Sequence, residues 1–145
     1  MKGAQFELEI DGKLENLSAI ADFIATTMRQ IGIGEEIILS VQIAVDEACT
    51  NIIQHGYSGK GGIIAISCEL QGDDFVITIR DRGRPFDPGS VPPPDLAADL
   101  EQRRVGGLGM YLMRKLMDEV SYNFDAEKGN KLTMRKTLTK MKRKS

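Results

Sequence analysis

The stretch Asp46-Glu-Ala-Cys-Thr-Asn-Ile-Ile-Gln-His-Gly-Tyr57 does most to decide the fold of this 145-residue chain. It ends a segment, beginning near Glu35, in which apolar residues recur every three or four positions and so predict one amphipathic helix that closes at Gly56. Glu47 and Asn51 stand four residues apart, so their side chains project from one face of that helix, one turn apart. The segment thus predicts a helix with a packed stripe and a polar margin that could open on a cleft.

The surroundings of this polar pair carry no positive charge. No Lys or Arg occurs between Ile37 and Gly59, so Asp46 and Glu47 have no cationic neighbour in this part of the sequence. This pattern suits a site whose positive charge arrives with a ligand. Spacing alone favours a plainer interpretation, in which Glu47 and Asn51 belong to an ordinary solvated helix edge.

The flanking residues predict the other elements of an α+β fold. Upstream, residues 6–10 alternate as a short strand, and a helix is predicted over residues 17–31 with Asn16 as its N-cap. Downstream, the period changes to two, and residues 64–70 and 75–79 predict a β-hairpin.

The remaining elements complete a single domain. A third helix is predicted from Gly107 to about Met117, and two strands follow it. The order β-α-α-β-β-loop-α-β-β predicts a two-layer α/β sandwich, in which helices cover one face of a mainly antiparallel sheet. We assign residues 1–138 to this domain and residues 139–145 to a basic tail, expected to be a solvated terminus.

Composition and charge exclude several classes of protein. Hydrophobic residues make up 41% of the chain, which is typical of a folded globular protein. The formal charge of −2 disfavours a nucleic acid or an anionic membrane as partner. No apolar run approaches the ~20 residues that span a bilayer, and we expect a cytosolic protein. Cys49 and Cys68 lack metal-ligand spacing, and the single histidine, His55, excludes a multi-histidine zinc site.

Two further motifs follow the predicted hairpin. Asp81-Arg-Gly-Arg-Pro85 ends a strand, where a carboxylate can accept a hydrogen bond from an exocyclic amine and Gly83 would let a ligand ring approach the backbone. Gly106-Gly-Leu-Gly-Met110 opens a helix, whose free backbone N–H groups can bind phosphate. Read alone, the first motif is better explained as a plain turn, and the second is equally well explained as a hinge.

A long segment without clear periodicity separates these motifs. It runs from Asp81 to Val105 and contains all five prolines. Loops of this length in a compact domain are usually functional or disordered. We expect a lid over residues 85–104 that a bound ligand orders.

Taken together, these motifs resemble the boxes of the GHKL ATP-binding superfamily. The correspondence comprises Glu47-Ala-Cys-Thr-Asn51 with the N box, Asp81-Arg-Gly83 with G1, Gly107-Leu-Gly109 with G2 and Gly129-Asn-Lys-Leu-Thr133 with G3. It covers nearly the whole chain and is closest to the anti-sigma-factor serine kinases. The resemblance implies the Bergerat α/β sandwich.

The same resemblance implies roles for individual residues. Asn51 would ligate Mg²⁺ bridging the phosphates of ATP, and Asp81 would receive the adenine amino group. Gly83 would line the adenine pocket, and Thr133 would support the base. Phosphate would lie against the glycine-rich helix start, whose binding residues are Gly107, Leu108, Gly109 and Met110.

Several positions qualify this assignment. Pro85 stands where many members have the second G1 glycine, and Leu132 stands where a G3 glycine is common. Arg104, with Arg103, could reach γ-phosphate charge, although a solvated basic pair is an equal interpretation. His55 is expected to be packed, or to contact the residues that bind the ligand and not the ligand itself.

The implied reaction is serine phosphorylation. Glu47 would act as the general base on a serine of an anti-anti-sigma protein, and a sigma factor would be the competing partner. A homodimer is expected from the resemblance. The alternative is a non-catalytic ATP-gated module that regulates a sigma factor or a phosphatase. The ATPase module of a histidine kinase is disfavoured, because no dimerisation helix with a phospho-accepting histidine is present.

Overall fold

The structure, a computed structural model, describes residues 5–85 and 107–138, with only the backbone described for residues 107–110. One antiparallel sheet of five strands forms its base, in the spatial order β1-β2-β3-β5-β4. The strands are β1 Gln5–Asp11, β2 Ile63–Gln71, β3 Asp74–Asp81, β4 Glu119–Asp125 and β5 Gly129–Thr137. The predicted two-layer fold and its element order are confirmed.

Three helices cover one face of this sheet. They are α1 Leu17–Ile31, α2 Glu35–Asn51 and α3 Gly107–Leu116, and α2 packs against both of the others. The inward side chains of α1, α2 and the central strands form one apolar core, in which Ile24, Val41 and Ile77 are fully buried. None of the helices in residues 5–85 and 107–138 is long and apolar enough to cross a membrane.

The start of α1 differs from its prediction in one detail. Asn16 occupies the N-cap position, but its side chain makes no capping hydrogen bond. A short 3₁₀ turn, Leu14–Asn16, precedes the helix, and the Asn16 amide instead donates to the Asp11 carbonyl at 2.8 Å. Asn16 therefore ties the helix start to the end of β1.

The predicted second helix changes its winding after Asn51. Ile52–Gly56 form a π-helical turn, in which the Tyr57 N–H donates to the Ile52 carbonyl at 2.8 Å. Single π turns within helices occur frequently at functional sites. The chain then meets the sheet through Tyr57, whose hydroxyl donates to the Ile63 carbonyl and accepts from the Arg82 N–H.

Gly56 makes a second contact with the sheet, at the end of β3. The Arg84 N–H donates to the Gly56 carbonyl at 2.7 Å. A Cβ atom on Gly83 would lie 2.6 Å from the Gly56 carbonyl carbon, closer than side-chain atoms pack. The absence of a side chain at Gly83 thus lets the helix end and the strand end approach each other.

Two predicted features lie outside the described residues. These are the lid, apart from its first residue, Pro85, and the basic tail at residues 139–145.

We predict that Gly83→Ala lowers the free energy of unfolding by about 1–3 kcal/mol, because the added methyl group overpacks the Gly56 contact. Thermal and urea unfolding measure the change. Gly34→Ser is the control, since a Cβ there meets nothing within 4 Å and serine suits the N-cap position that Gly34 occupies before α2, and it should stay within about 0.5 kcal/mol of wild type. Equal stability of the two variants would contradict a tight Gly56–Gly83 contact.

Candidate functional site

A pocket lies between α2, α3 and the ends of β3, β4 and β5. Its polar lining residues are Asn51, Asp81, Arg84, Tyr122 and Asn130. Ala48, Ile52, Met113 and Leu132 supply its apolar walls, and Gly56 closes the helix end. The pocket therefore unites residues of the predicted N, G1 and G3 boxes, which are far apart in sequence.

Asp81 is the buried carboxylate of this pocket. It is the last residue of β3 and faces the helices, as Ile77 and Ile79 do on the same strand. Its Oδ1 atom accepts two hydrogen bonds, from the Gly83 N–H at 2.8 Å and from Asn130 Nδ2 at 2.9 Å. Within the described residues, no hydrogen bond reaches Oδ2, so this oxygen is the acceptor that Asp81 can offer to a ligand.

Thr133 does not line this pocket, and the structure does not bring it together with the other residues predicted to hold the base. Leu132 and Met134 face the helices, so Thr133 between them faces the opposite side of the sheet. There it lines a separate polar depression with Arg80 and Lys131. Asn130 holds the position that was assigned to Thr133, since it pairs directly with Asp81 across the two strands.

Gly83 shapes the pocket without being one of its lining residues. Its carbonyl accepts from Asn130 Nδ2 at 3.0 Å, and its Cα packs on Gly56. Arg84 lines the pocket next to it. The close backbone approach predicted for a ligand is thus made by Gly56, and direct contact of Gly83 with a ligand stays a prediction.

Asn51 presents an unsatisfied amide to the pocket. Its Nδ2 atom is buried and has no hydrogen-bond partner in the part of the chain that the structure describes. A buried amide that lacks partners is costly unless a ligand completes its contacts. Because the two ends of an amide are interchangeable by rotation, the side chain can offer its oxygen to a cation and its nitrogen to a phosphate oxygen.

This amide fits the Mg²⁺ ion that accompanies ATP. No group of three or more His, Cys, Asp or Glu side chains in residues 5–85 and 107–138 could hold a metal alone. Mg²⁺ in phosphoryl-transfer sites commonly takes one or two protein oxygens and completes its shell with phosphates and water. Asn51 can supply such an oxygen, and the polyphosphate would supply others.

Glu47 lies one turn before Asn51 on α2 and is half-buried. It is not among the residues that line the pocket. Burial raises the pKa of its carboxyl group, and the neighbouring Asp46 carboxylate raises that pKa further. Burial raises the pKa of Asp46 as well. A carboxylate that holds its proton more tightly than usual is a better acceptor in general base catalysis.

The remaining predicted ligands are only partly described. The backbone of Gly107 begins α3, as predicted, while the side chains of Leu108 and Met110 lie outside the description. Arg103 and Arg104 also fall outside it. The contacts of Gly107, Leu108, Gly109 and Met110 with phosphate stay predictions.

Sequence reasoning missed four residues at or beside this pocket. Tyr57, Arg84, Tyr122 and Asn130 all fix or line it, and none had been given a role. The alternation of β5 held the signal for Asn130, because the apolar residues Leu132 and Met134 place Asn130 on their side of the sheet. His55 is half-buried and its carbonyl lies 3.5 Å from Arg84 Nη2.

Comparisons with known proteins agree with this geometry. Residues 10–136 match the family described as the histidine kinase-like ATPase domain, and the chain belongs to that family. Within it, the chain is similar to serine-protein kinase RsbW of Bacillus cereus strain Q1, with 34% identity over 125 residues. The alignment covers 83% of this chain and 78% of that protein. Serine-protein kinases RsbW of Bacillus thuringiensis and Bacillus anthracis match to the same extent.

A solved structure supports the fold. The crystal structure of the RsbU and RsbW domains of Rv1364c from Mycobacterium tuberculosis superposes with a TM-score of 0.67 at 17% identity. The match covers 92% of this chain and 32% of that one, so this chain spans about a third of the solved protein's length. The predicted family and two-layer architecture are confirmed.

We predict that Asp81→Asn lowers the affinity for ADP about 10- to 100-fold, because the ligand loses a charged hydrogen-bond acceptor. Thr133→Val, on the opposite face of the sheet, should change that affinity less than twofold. Titration calorimetry with Mg²⁺ and ADP measures both. A larger loss in Thr133→Val than in Asp81→Asn would return the base-supporting role to Thr133.

Proposed function

We propose that this chain is an ATP-dependent serine protein kinase and anti-sigma factor, which phosphorylates an anti-anti-sigma protein in a partner-switching pathway. The observation that carries the proposal is one pocket in which Asn51 and Asp81 meet, with Glu47 one turn from Asn51 on the same helix. The name serine-protein kinase, carried by the Bacillus relatives, supports the predicted enzyme class.

The pocket residues divide the binding of ATP between them. Asp81 accepts a hydrogen bond from the adenine amino group, between the apolar walls formed by Ile52, Met113 and Leu132. Asn51 would hold Mg²⁺ together with the phosphates, and the bound ion would supply positive charge to the transferring group. The backbone N–H groups at the start of α3 are the proposed phosphate donors.

Glu47 performs the proton transfer in this proposal. Its carboxylate accepts the proton of the substrate serine as the hydroxyl oxygen bonds to the γ-phosphorus and the bond to the bridging oxygen of ADP breaks. Such a base must be unprotonated yet strongly basic, and the raised pKa of Glu47 meets the second requirement.

The partners follow from the same proposal. An anti-anti-sigma protein supplies the serine, and a sigma factor competes for the kinase, so phosphorylation would regulate transcription. We further propose a cytoplasmic homodimer without direct nucleic-acid or membrane contacts.

The decisive experiment separates the base from the metal ligand. Candidate anti-anti-sigma proteins from the same genome are incubated with the chain, Mg²⁺ and radiolabelled ATP. Glu47→Gln keeps the size of the side chain and removes its basicity, so ATP affinity should persist while phosphorylation falls about 10²- to 10⁴-fold. Asn51→Ala should lower Mg²⁺-dependent ATP affinity and phosphorylation together.

Two outcomes would contradict this assignment. Phosphorylation by Glu47→Gln at the wild-type rate would remove Glu47 as the base. If the wild type binds an antagonist and ATP but phosphorylates nothing, the non-catalytic ATP-gated module replaces the kinase.

We also predict that Asp46→Asn shifts the acidic limb of the pH–rate profile to lower pH. The rate rises with pH as Glu47 loses its proton, and removing the Asp46 charge lowers the pKa of Glu47. Single-turnover phosphorylation across pH measures the limb. Glu36→Gln, an exposed change in the first turn of the same helix, is the matched control and should leave the limb in place. An unmoved limb in Asp46→Asn would show that another group sets it.

A further inference from the structure

Three polar side chains, at the end of β3, in the middle of β4 and near the start of β5, form a connected chain of hydrogen bonds. The Tyr122 hydroxyl donates to Asn130 Oδ1 at 2.7 Å. Asn130 Nδ2 donates to Asp81 Oδ1 at 2.9 Å and to the Gly83 carbonyl at 3.0 Å. Asn130 is 3% exposed, so water contributes little to its contacts. We call these three residues the Asp81 clamp.

The chemistry of the partners fixes the orientation of the Asn130 amide. The carbonyl of Gly83 can only accept, and so can an ionised Asp81, so the NH₂ end must face them. The oxygen end then faces Tyr122, whose hydroxyl supplies the donor it needs. The reverse orientation would set three acceptors against one another in a buried site.

The clamp leaves Asp81 with one oxygen for a ligand. Oδ1 receives two donors, from the Gly83 backbone and from Asn130, and rotation of the carboxylate would break both bonds. Asp81 thus offers a ligand a single hydrogen-bond acceptor. The 6-amino group of adenine needs one acceptor, whereas N1–H and the 2-amino group of guanine present two adjacent donors that suit both oxygens of a free carboxylate.

We infer that the Asp81 clamp is the element that selects 6-amino over 6-oxo purine nucleotides, with Asn130 as the specificity-determining residue and Tyr122 as a positioning residue. This inference rests on the proposed nucleotide-binding function. It goes beyond that function because it explains the choice of base by residues that need not touch the phosphates or the protein substrate.

The geometry also predicts which substitutions weaken the Asp81 clamp. Asn130→Leu keeps a similar volume but removes one of the two donors to Oδ1, so only the Gly83 N–H holds the carboxylate and Asp81 can turn more readily to offer both oxygens. Tyr122→Phe removes only the hydroxyl that orients Asn130, so it should produce a smaller change of the same kind. Both changes lie at the base end of the pocket, and should therefore act on nucleotide binding more than on the rate of phosphoryl transfer.

The test compares the affinities for ADP and GDP, each with Mg²⁺, by titration calorimetry on the full chain. We expect the wild type to prefer ADP by about 100-fold or more, since an unpaired buried acceptor strongly penalises the wrong base. Asn130→Leu should reduce this preference at least about tenfold, and Tyr122→Phe about three- to tenfold. Ser121→Ala, an exposed change beside Tyr122 on the opposite face, should retain the wild-type ratio.

Each outcome of this comparison supports or overturns the proposed role of the clamp. An unchanged ADP:GDP ratio in both Asn130→Leu and Tyr122→Phe, with cooperative thermal unfolding preserved, would overturn the clamp while nucleotide binding stands. If Asn130→Leu fails to fold, Tyr122→Phe alone carries the comparison. Equal wild-type affinity for ADP and GDP would also overturn the clamp, whereas binding of neither nucleotide would overturn the proposed function itself. In the kinase assay, the variants should raise the KM for ATP with little change in kcat.

Discussion

The contact between the backbones of Gly56 and Gly83 is the constraint on which the site depends. The Gly56 carbonyl accepts from the Arg84 N–H at 2.7 Å, and a Cβ atom on Gly83 would lie 2.6 Å from the Gly56 carbonyl carbon. This contact fastens the end of the long helix to the end of the central strand β3. As a result, Asn51 from the helix and Asp81 from the strand line one pocket. Without it, the groups proposed to bind the metal and the base would belong to separate surfaces.

The π-helical turn after Asn51 makes this junction possible. Its wider winding ends α2 with Tyr57 directed at the sheet, where one hydroxyl bridges the Ile63 carbonyl and the Arg82 N–H. Burial raises the pKa of this Tyr57 hydroxyl, so it stays protonated and keeps its donor role over the physiological range. The stretch from Asp46 to Tyr57 thus supplies a wall of the pocket, and Tyr57 at its end holds this wall against two strands.

Local pattern predicted most of the fold, while the site needed contacts that no local pattern carries. The helices and strands follow from hydrophobic periodicity, and even the start of α3 at Gly107 was predicted. The position of Thr133 outside the pocket follows from the alternation of β5, because a strand whose buried apolar residues are Leu132 and Met134 directs Thr133 to the other face and Asn130 to theirs. The need for glycine at position 83 depends on the distant Gly56, which only the folded chain brings near.

The charges around the pocket suit a neutral amide, Asn51, at the position proposed to bind the metal. Asp81 already places a carboxylate in the pocket lining, Glu47 places another one turn from Asn51 on α2, and Arg84 is the cation in the described lining. A further carboxylate at Asn51 would repel the phosphates of a nucleotide and would take up more of the positive charge of Mg²⁺. An amide oxygen would ligate the ion while leaving that charge to the phosphates. Glu47, which does not line the pocket, would then be available as the proposed proton acceptor instead of serving as a metal ligand.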